Sequence, residues 1–147
     1  MQKKLTELQA FNAVGRLLQI FFNKKRSGDL ATVLGSMSFL QDKTTVDQLI
    51  WEIWKQSLDQ ILEFKKMRDY NHLTILQAFL AMGLYLEGFL GTTELDDAIV
   101  YLQQNIQLAR DKKRIDPILW QNWLQCVDEV LAVKDSRMYF QLRPKGK

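Results

Sequence analysis

Apolar side chains recur at intervals of three and four along most of the chain, which places them on single faces of helices. Leu8, Phe11, Val14, Leu18 and Phe21 form the first such stripe, and Leu30, Val33, Leu34 and Met37 the second, over residues 29–40. Trp51, Trp54, Leu58 and Ile61 or Leu62 form the third. The pattern then restarts with Leu76, Phe79, Met82, Leu86 and Phe89, continues with Ile99, Leu102 and Ile106 over residues 95–109, and ends with Trp120, Trp123, Val127 and Val130 or Leu131. Period-two alternation is weak and confined to Met138–Leu142. The spacing predicts an all-α protein of about six helices.

Helix starts support this reading. Asp116-Pro117 offers a capping carboxylate followed by a residue whose missing N–H costs nothing in a first turn. At the aligned place upstream, Thr45 and Gln48 suit a capping box, with Asp47 as a further capping residue. Thr93, followed by Asp96 three residues later, is the expected start of the fifth helix.

Sliding the sequence against itself shows why the pattern restarts. At an offset of 68, residues 5–22 match residues 73–90 at ten of eighteen positions, including Leu5-Thr6 with Leu73-Thr74 and Gln9-Ala10-Phe11 with Gln77-Ala78-Phe79. At an offset of 69, residues 42–62 match 111–131 at eight of twenty-one, among them Asp42-Lys43, Asp47, Trp51, Trp54, Gln56, Asp59 and Leu62. The change of offset puts one insertion in the middle of the unit, near Asn23–Asp29 of the first copy. The expected organisation is one helical domain over residues 1–132, built from repeats 5–62 and 73–131 with a charged linker 63–72, followed by a basic tail 133–147. Two similar three-helix units imply a pseudo-two-fold arrangement in which each buries the leftover apolar stripe of the other. One such unit would bury a smaller fraction of its surface alone. Both Trp pairs are expected in the shared core.

Composition narrows the chemistry. Of 147 residues, one is Cys and one is His, so an internal disulfide is impossible and soft metal ligands are too few for a zinc site. Acid–base catalysis has little to work with: His72 is expected at the surface, and Cys126, aligned with Ser57, as an inert, partly buried thiol. None of the seven glycines opens a phosphate-binding loop. These observations predict a non-enzyme without cofactor or metal. The longest uncharged run, Tyr70 to Leu86, contains Asn71, His72, Thr74 and Gln77, which suits a buried helix better than a membrane span. No secretory signal is visible, and the cytoplasm is the expected compartment.

Net charge is +3, unevenly spread. Residues 1–71 carry 11 basic and 8 acidic side chains, residues 72–132 carry 4 and 8, and the tail carries 5 and 1. Because duplicated units share a core, outward residues whose charge differs between copies are the better candidates for a partner surface. Glu94, Asp96, Asp97 and Glu129 have no acidic counterparts in the first copy, and Glu129 stands opposite Gln60. Tyr101, four residues after Asp97, is expected to expose an aromatic ring beside these acids. Asp59 and Asp128, present in both copies, are expected to hold a neighbouring helix end or an arginine.

The Ala-rich first helices (Ala10-Phe11-Asn12-Ala13-Val14 and Ala78-Phe79-Leu80-Ala81-Met82), the segment Ser27-Gly28-Asp29-Leu30 through Leu34-Gly35, and the closing D-P-x-x-W-x-x-W helix with Asp116-Pro117, Trp120 and Trp123 resemble the small helical immunity proteins of contact-dependent growth inhibition systems. The resemblance implies a bacterial protein that binds and blocks the toxic C-terminal domain of a cognate toxin, often an RNase. Here the unit is duplicated, and the first copy lacks the proline. An acidic face formed by Glu94, Asp96, Asp97, Tyr101 and Glu129 suits a basic partner of that kind. Two other readings stand beside it: a regulatory protein that binds nucleic acid through basic runs such as Lys24-Lys25-Arg26 and Lys112-Lys113-Arg114, which the near-neutral body disfavours, and an adaptor that docks a partner helix between the units. Association of two copies is left open.

Overall fold

The computed structural model describes residues 3–37, 48–62 and 70–132. Among these residues six helices carry the fold: α1 (Glu7–Lys24), α2 (Gly28–Met37), α3 (Gln48–Ile61), α4 (Ile75–Leu90), α5 (Asp97–Arg110) and α6 (Pro117–Leu131). The protein is all-α except for one short ladder, in which β1 (Lys4–Leu5) runs antiparallel to β2 (Leu73–Thr74), pairing Lys4 with Thr74 and Leu5 with Leu73. Thr45, Asp47, the Asp42-Lys43 pair, residues 63–69 of the linker and the tail 133–147 lie outside the described residues.

The two repeats begin in the same way. Thr6 and Thr74 each accept the backbone N–H of the residue three positions on, at 3.1 and 2.9 Å, and Gln9 and Gln77 each return a side-chain oxygen to the threonine N–H at 2.9 Å. Two capping boxes therefore satisfy the otherwise unpaired donors that open α1 and α4. Ser27 caps α2 by accepting the Leu30 N–H at 3.1 Å. Asp116 caps α6 by accepting the Ile118 N–H at 2.9 Å, with Pro117 in the first turn as expected. The fifth helix differs from expectation: it starts at Asp97 behind Asp96, not at Thr93. Glu94 adopts a left-handed backbone, φ 57°, which breaks the run before a helix can begin there. The connection from α4 to α5, residues 91–96, is longer than that from α1 to α2, residues 25–27, while α1 outlasts α4. The net extra residue thus belongs to the second copy.

Equivalent residues make equivalent contacts. Trp54 and Trp123 are both fully buried, and each indole N–H donates to a backbone carbonyl in the first turn of its own copy's first helix, Glu7 or Ile75, at 3.2 Å. Phe11 meets Trp51 edge-on at 5.2 Å and Trp54 at 5.7 Å; Phe79 meets Trp120 edge-on at 5.2 Å and Trp123 at 5.8 Å. Trp51 and Trp120 are half-buried, so each Trp pair contributes one interior ring and one ring at the margin of the core. Tyr85 breaks the match. It replaces Leu17 of the first copy, packs edge-on against both Phe11 and Trp54, and its buried hydroxyl has no hydrogen-bond partner among the described residues. Burial pushes this phenol well above the usual tyrosine range.

The third helix of each copy packs most extensively on the first helix of the other: α3 on α4 and α6 on α1. Within each copy the first helix packs on the second, α1 on α2 and α4 on α5. The apolar stripes of α3 and α6 are thus covered from both sides, by the aromatic ring of their own copy's first helix and by the first helix of the other copy.

Candidate functional site

The acidic residues singled out by copy comparison do not form one free face. Three charges of the second copy are paired with cations of the first. Asp97 faces Lys25 at 3.7 Å, Glu129 faces Arg16 at 3.2 Å, and Asp128 takes Lys3. The first copy is the more basic and the second the more acidic, and part of that imbalance is an interlock between α1 and the helices that border it. Exposed pairs of this kind contribute roughly 0–1 kcal/mol each, so they set register more than they hold the fold. Glu129 is further held by Gln125 at 3.2 Å. Asp128 meets a lysine, Lys3, where an arginine or a helix end was expected, and its counterpart Asp59 accepts from the Tyr70 hydroxyl.

Asp96 is a structural residue. Its Oδ2 accepts the Ser27 hydroxyl at 2.6 Å and the Asp29 N–H at 2.9 Å, while the Asp96 N–H donates to Asp29 Oδ2 at 2.7 Å. The N-termini of α2 and α5 thereby exchange caps, each aspartate serving the other copy. A carboxylate beside these donors is favoured in its charged form. The Asp29 N–H and the Ser27 hydroxyl, in that order, hold Asp96 below the ordinary carboxylate range against the opposing effect of burial. Since its folded pKa lies below its unfolded one, the clasp stabilises fully above the unfolded value near ~3.9 and is lost as pH falls through the folded value. Asp96→Asn is therefore expected to lower the melting temperature at neutral pH, with the difference from wild type closing as pH is lowered beneath 4 (roughly the unfolded carboxylate pKa). A difference that stays constant with pH in calorimetry would assign the effect to shape and not to charge.

Tyr101 corrects a second expectation. Its ring is half-buried against Phe21, centroids 5.9 Å apart, and its hydroxyl donates to Asp116. Burial first, and then Asp116, push the phenol up to about 12. The Tyr101 hydroxyl and the Ile118 N–H in turn hold the Asp116 carboxyl below its usual range. Buried Asn105 completes this corner, donating to the Tyr101 carbonyl at 3.0 Å and accepting the Asp116 N–H at 2.8 Å. Tyr101 ties the middle of α5 to the start of α6. The reason is legible afterwards: at four residues before Asn105 and fifteen before Asp116 it lies over the α5–α6 turn, and Phe21 arrives from the first copy.

Cys126 is buried between α6 and α1, and its thiol is pushed up to about 12 by burial, then by Glu129, with Arg16 opposing. His72 is exposed in the turn before β2.

Of the acidic face expected from sequence, the part that is exposed without a short ion pair among the described residues is smaller. It is the α4–α5 connection: Glu94 exposed in its left-handed conformation, Asp97 with 92% of its side chain exposed and only a long contact to Lys25, and Glu87 at the end of α4. Glu87 was not among the candidates, although it stands opposite Gln19 and carries the same copy-difference signal. No group of three or more His, Cys, Asp or Glu able to hold a metal occurs among the described residues, and no helix there is long and apolar enough to cross a membrane. The chain matches no protein-family model, no curated protein and no solved structure.

Proposed function

We propose that this chain is a non-enzymatic protein-binding module, an immunity protein that neutralises the toxic C-terminal domain, a nuclease by expectation, of a contact-dependent growth inhibition toxin. In this reading residues 1–132 form one domain of two repeats related by a pseudo-two-fold axis, a view supported by the matched aromatic contacts and capping boxes, and the protein acts in the cytoplasm. The observation that carries the binding role is the α4–α5 connection. Three exposed acids, Glu87, Glu94 and Asp97, lie on or beside a loop that is longer in the second copy and keeps a non-glycine residue at φ 57°. Strained, charged and exposed positions on a rigid helical frame are where recognition concentrates. A nuclease must attract phosphate, so its active face is basic, and an acidic loop complements it.

The test is growth of cells that express the toxic domain encoded beside this chain's gene. Co-expression of the chain should restore growth. The variant Glu94→Lys/Asp97→Lys should slow association about tenfold or more at low salt, with the gap narrowing as salt is added. Glu129→Gln, which touches a paired charge, should matter less. Full rescue and unchanged association by the double variant would remove this loop from the interface, and a neighbouring gene with no toxic product would remove the immunity role itself.

A further inference from the structure

Residues 72–132 contain four basic side chains, and all four lie within five consecutive positions: Arg110, Lys112, Lys113 and Arg114. They occupy the turn from α5 to α6. Lys112 closes the helix in a left-handed conformation, φ 61°, with its N–H donating to the Ala109 carbonyl at 3.0 Å and the Lys113 N–H to that of Leu108 at 2.8 Å. Glycine is the residue that usually ends a helix in this way, because it has no Cβ to strain. All four cations are exposed, and none is in an ion pair among the described residues. The two acids beside them are committed elsewhere: Asp111 accepts from Gln107 at 3.2 Å, and Asp116 holds Tyr101 and the α6 N-terminus.

The aligned segment of the first copy carries much less of this charge. Lys112 has a counterpart in Lys43, and one cation near a helix C-terminus is what the helix dipole favours. The other three stand where the first copy has Gln41, Thr44 and Thr45. The second copy thus carries three more cations here than the first, all exposed and in no ion pair among the described residues. Of the seven other described cations, four, Lys3, Arg16, Lys25 and Lys55, face a carboxylate of the same chain, while Arg26 lies over the Phe22 ring and Lys4 and Lys24 are in no ion pair among the described residues.

We propose that the Arg110–Arg114 turn is a docking surface for a carboxylate-rich segment of a partner protein. It is a separate surface from the α4–α5 loop, at the other end of α5, and does not depend on the toxin reading. The shape favours carboxylates over a nucleic-acid backbone. The cations are gathered on a single turn and do not form a track, and residues 110–116 offer no aromatic ring on which a base would stack.

The test uses the full chain and a fluorescently labelled oligoglutamate peptide in low salt, with a labelled DNA duplex as the competing probe. The triple variant Arg110→Gln/Lys113→Thr/Arg114→Thr transplants the first copy's own residues and should fold. If it does not, Lys113→Thr/Arg114→Thr replaces it. The expected result is peptide binding that weakens with salt and falls about tenfold or more in the variant, with an unchanged melting temperature, while neutralising Lys24 and Lys25 leaves it intact. Three results would overturn the proposal: no peptide binding by the wild type, equal binding by the variant, or tighter binding of DNA lost in the same variant, which would assign the turn to phosphate.

Discussion

Truncating either interior tryptophan, Trp54→Ala or Trp123→Ala, is expected to cost about 3–5 kcal/mol of folding stability. Against a total of roughly 5–15 kcal/mol for a domain, that loss leaves a substantial unfolded population at growth temperature. Each substitution removes a fully buried indole, the edge of an aromatic cluster and a hydrogen bond to a helix-start carbonyl. The two should not be equal. Trp54 also stands perpendicular to Tyr85 at 5.8 Å, whereas the residue aligned with Tyr85 in the first copy is Leu17, so among the described residues Trp123 has no such third ring. An aromatic pair adds roughly 0.5–1.5 kcal/mol beyond area burial, which makes Trp54→Ala the more damaging. Trp51→Ala and Trp120→Ala, at half-buried positions, should cost less than their partners. Urea unfolding of the four variants measures the order. Losses below 1 kcal/mol (far under those expected for a buried Trp) at Trp54 and Trp123 would show that these rings do not form the centre of the core.

The sequence made those rings easy to place, because an indole at i and i+3 in two aligned helices has little reason to recur except packing. It also made the caps at Asp116-Pro117 readable, since that signal is local. The capping boxes at Thr6 and Thr74 were equally local and lay inside the best-matching block. The two-residue ladder between Leu5 and Leu73 had no such signal, since so short a strand carries no periodicity. Charge was harder. Counting acids along the chain showed that the second copy is acidic, yet not that Asp97, Asp128 and Glu129 face cations of the first copy, since the exchange of α3 and α6 between copies is a long-range property. Asp96 looked like an outward acid because the residue it serves, Asp29, lies far away in sequence. Tyr101 was misread for a related reason: its own helix face gave no sign of Phe21. The α4–α5 loop acids and the α5–α6 cations, by contrast, needed no tertiary partner to be noticed, and what the structure adds for the cations is that they are exposed and in no ion pair among the described residues.

The spacing of α4 and α5, which carries both of those surfaces, rests on a glycine. A Cβ at Gly83 would lie 2.7 Å from Ile106 Cγ2 and 3.1 Å from Gln103 Oε1, and the Gln103 amide already donates to the Gly83 carbonyl at 3.1 Å. Two effects oppose each other in Gly83→Ala. Removing glycine from a helix interior gains about 0.5–1 kcal/mol in backbone entropy. Overpacking a filled interface costs about 1–3 kcal/mol. The glutamine can swing aside, but Ile106 is buried and branched at Cβ, so its Cγ2 has no free rotamer to move into and α5 itself must shift. The clash should win by about 1–2 kcal/mol, in contrast to Gly35→Ala in α2, where a Cβ meets nothing within 4 Å and the entropy gain stands alone. Combining Gly83→Ala with Ile106→Ala should show favourable coupling of roughly 1 kcal/mol or more in a double-mutant cycle, because the smaller side chain makes room for the new methyl. A stabilised Gly83→Ala protein, or additive losses in the cycle, would mean that α4 and α5 do not approach this closely. If the helices do part as expected, the loop bearing Glu94 and the turn bearing Lys112 move together at the two ends of α5, so one methyl group placed far from either surface should weaken binding at both.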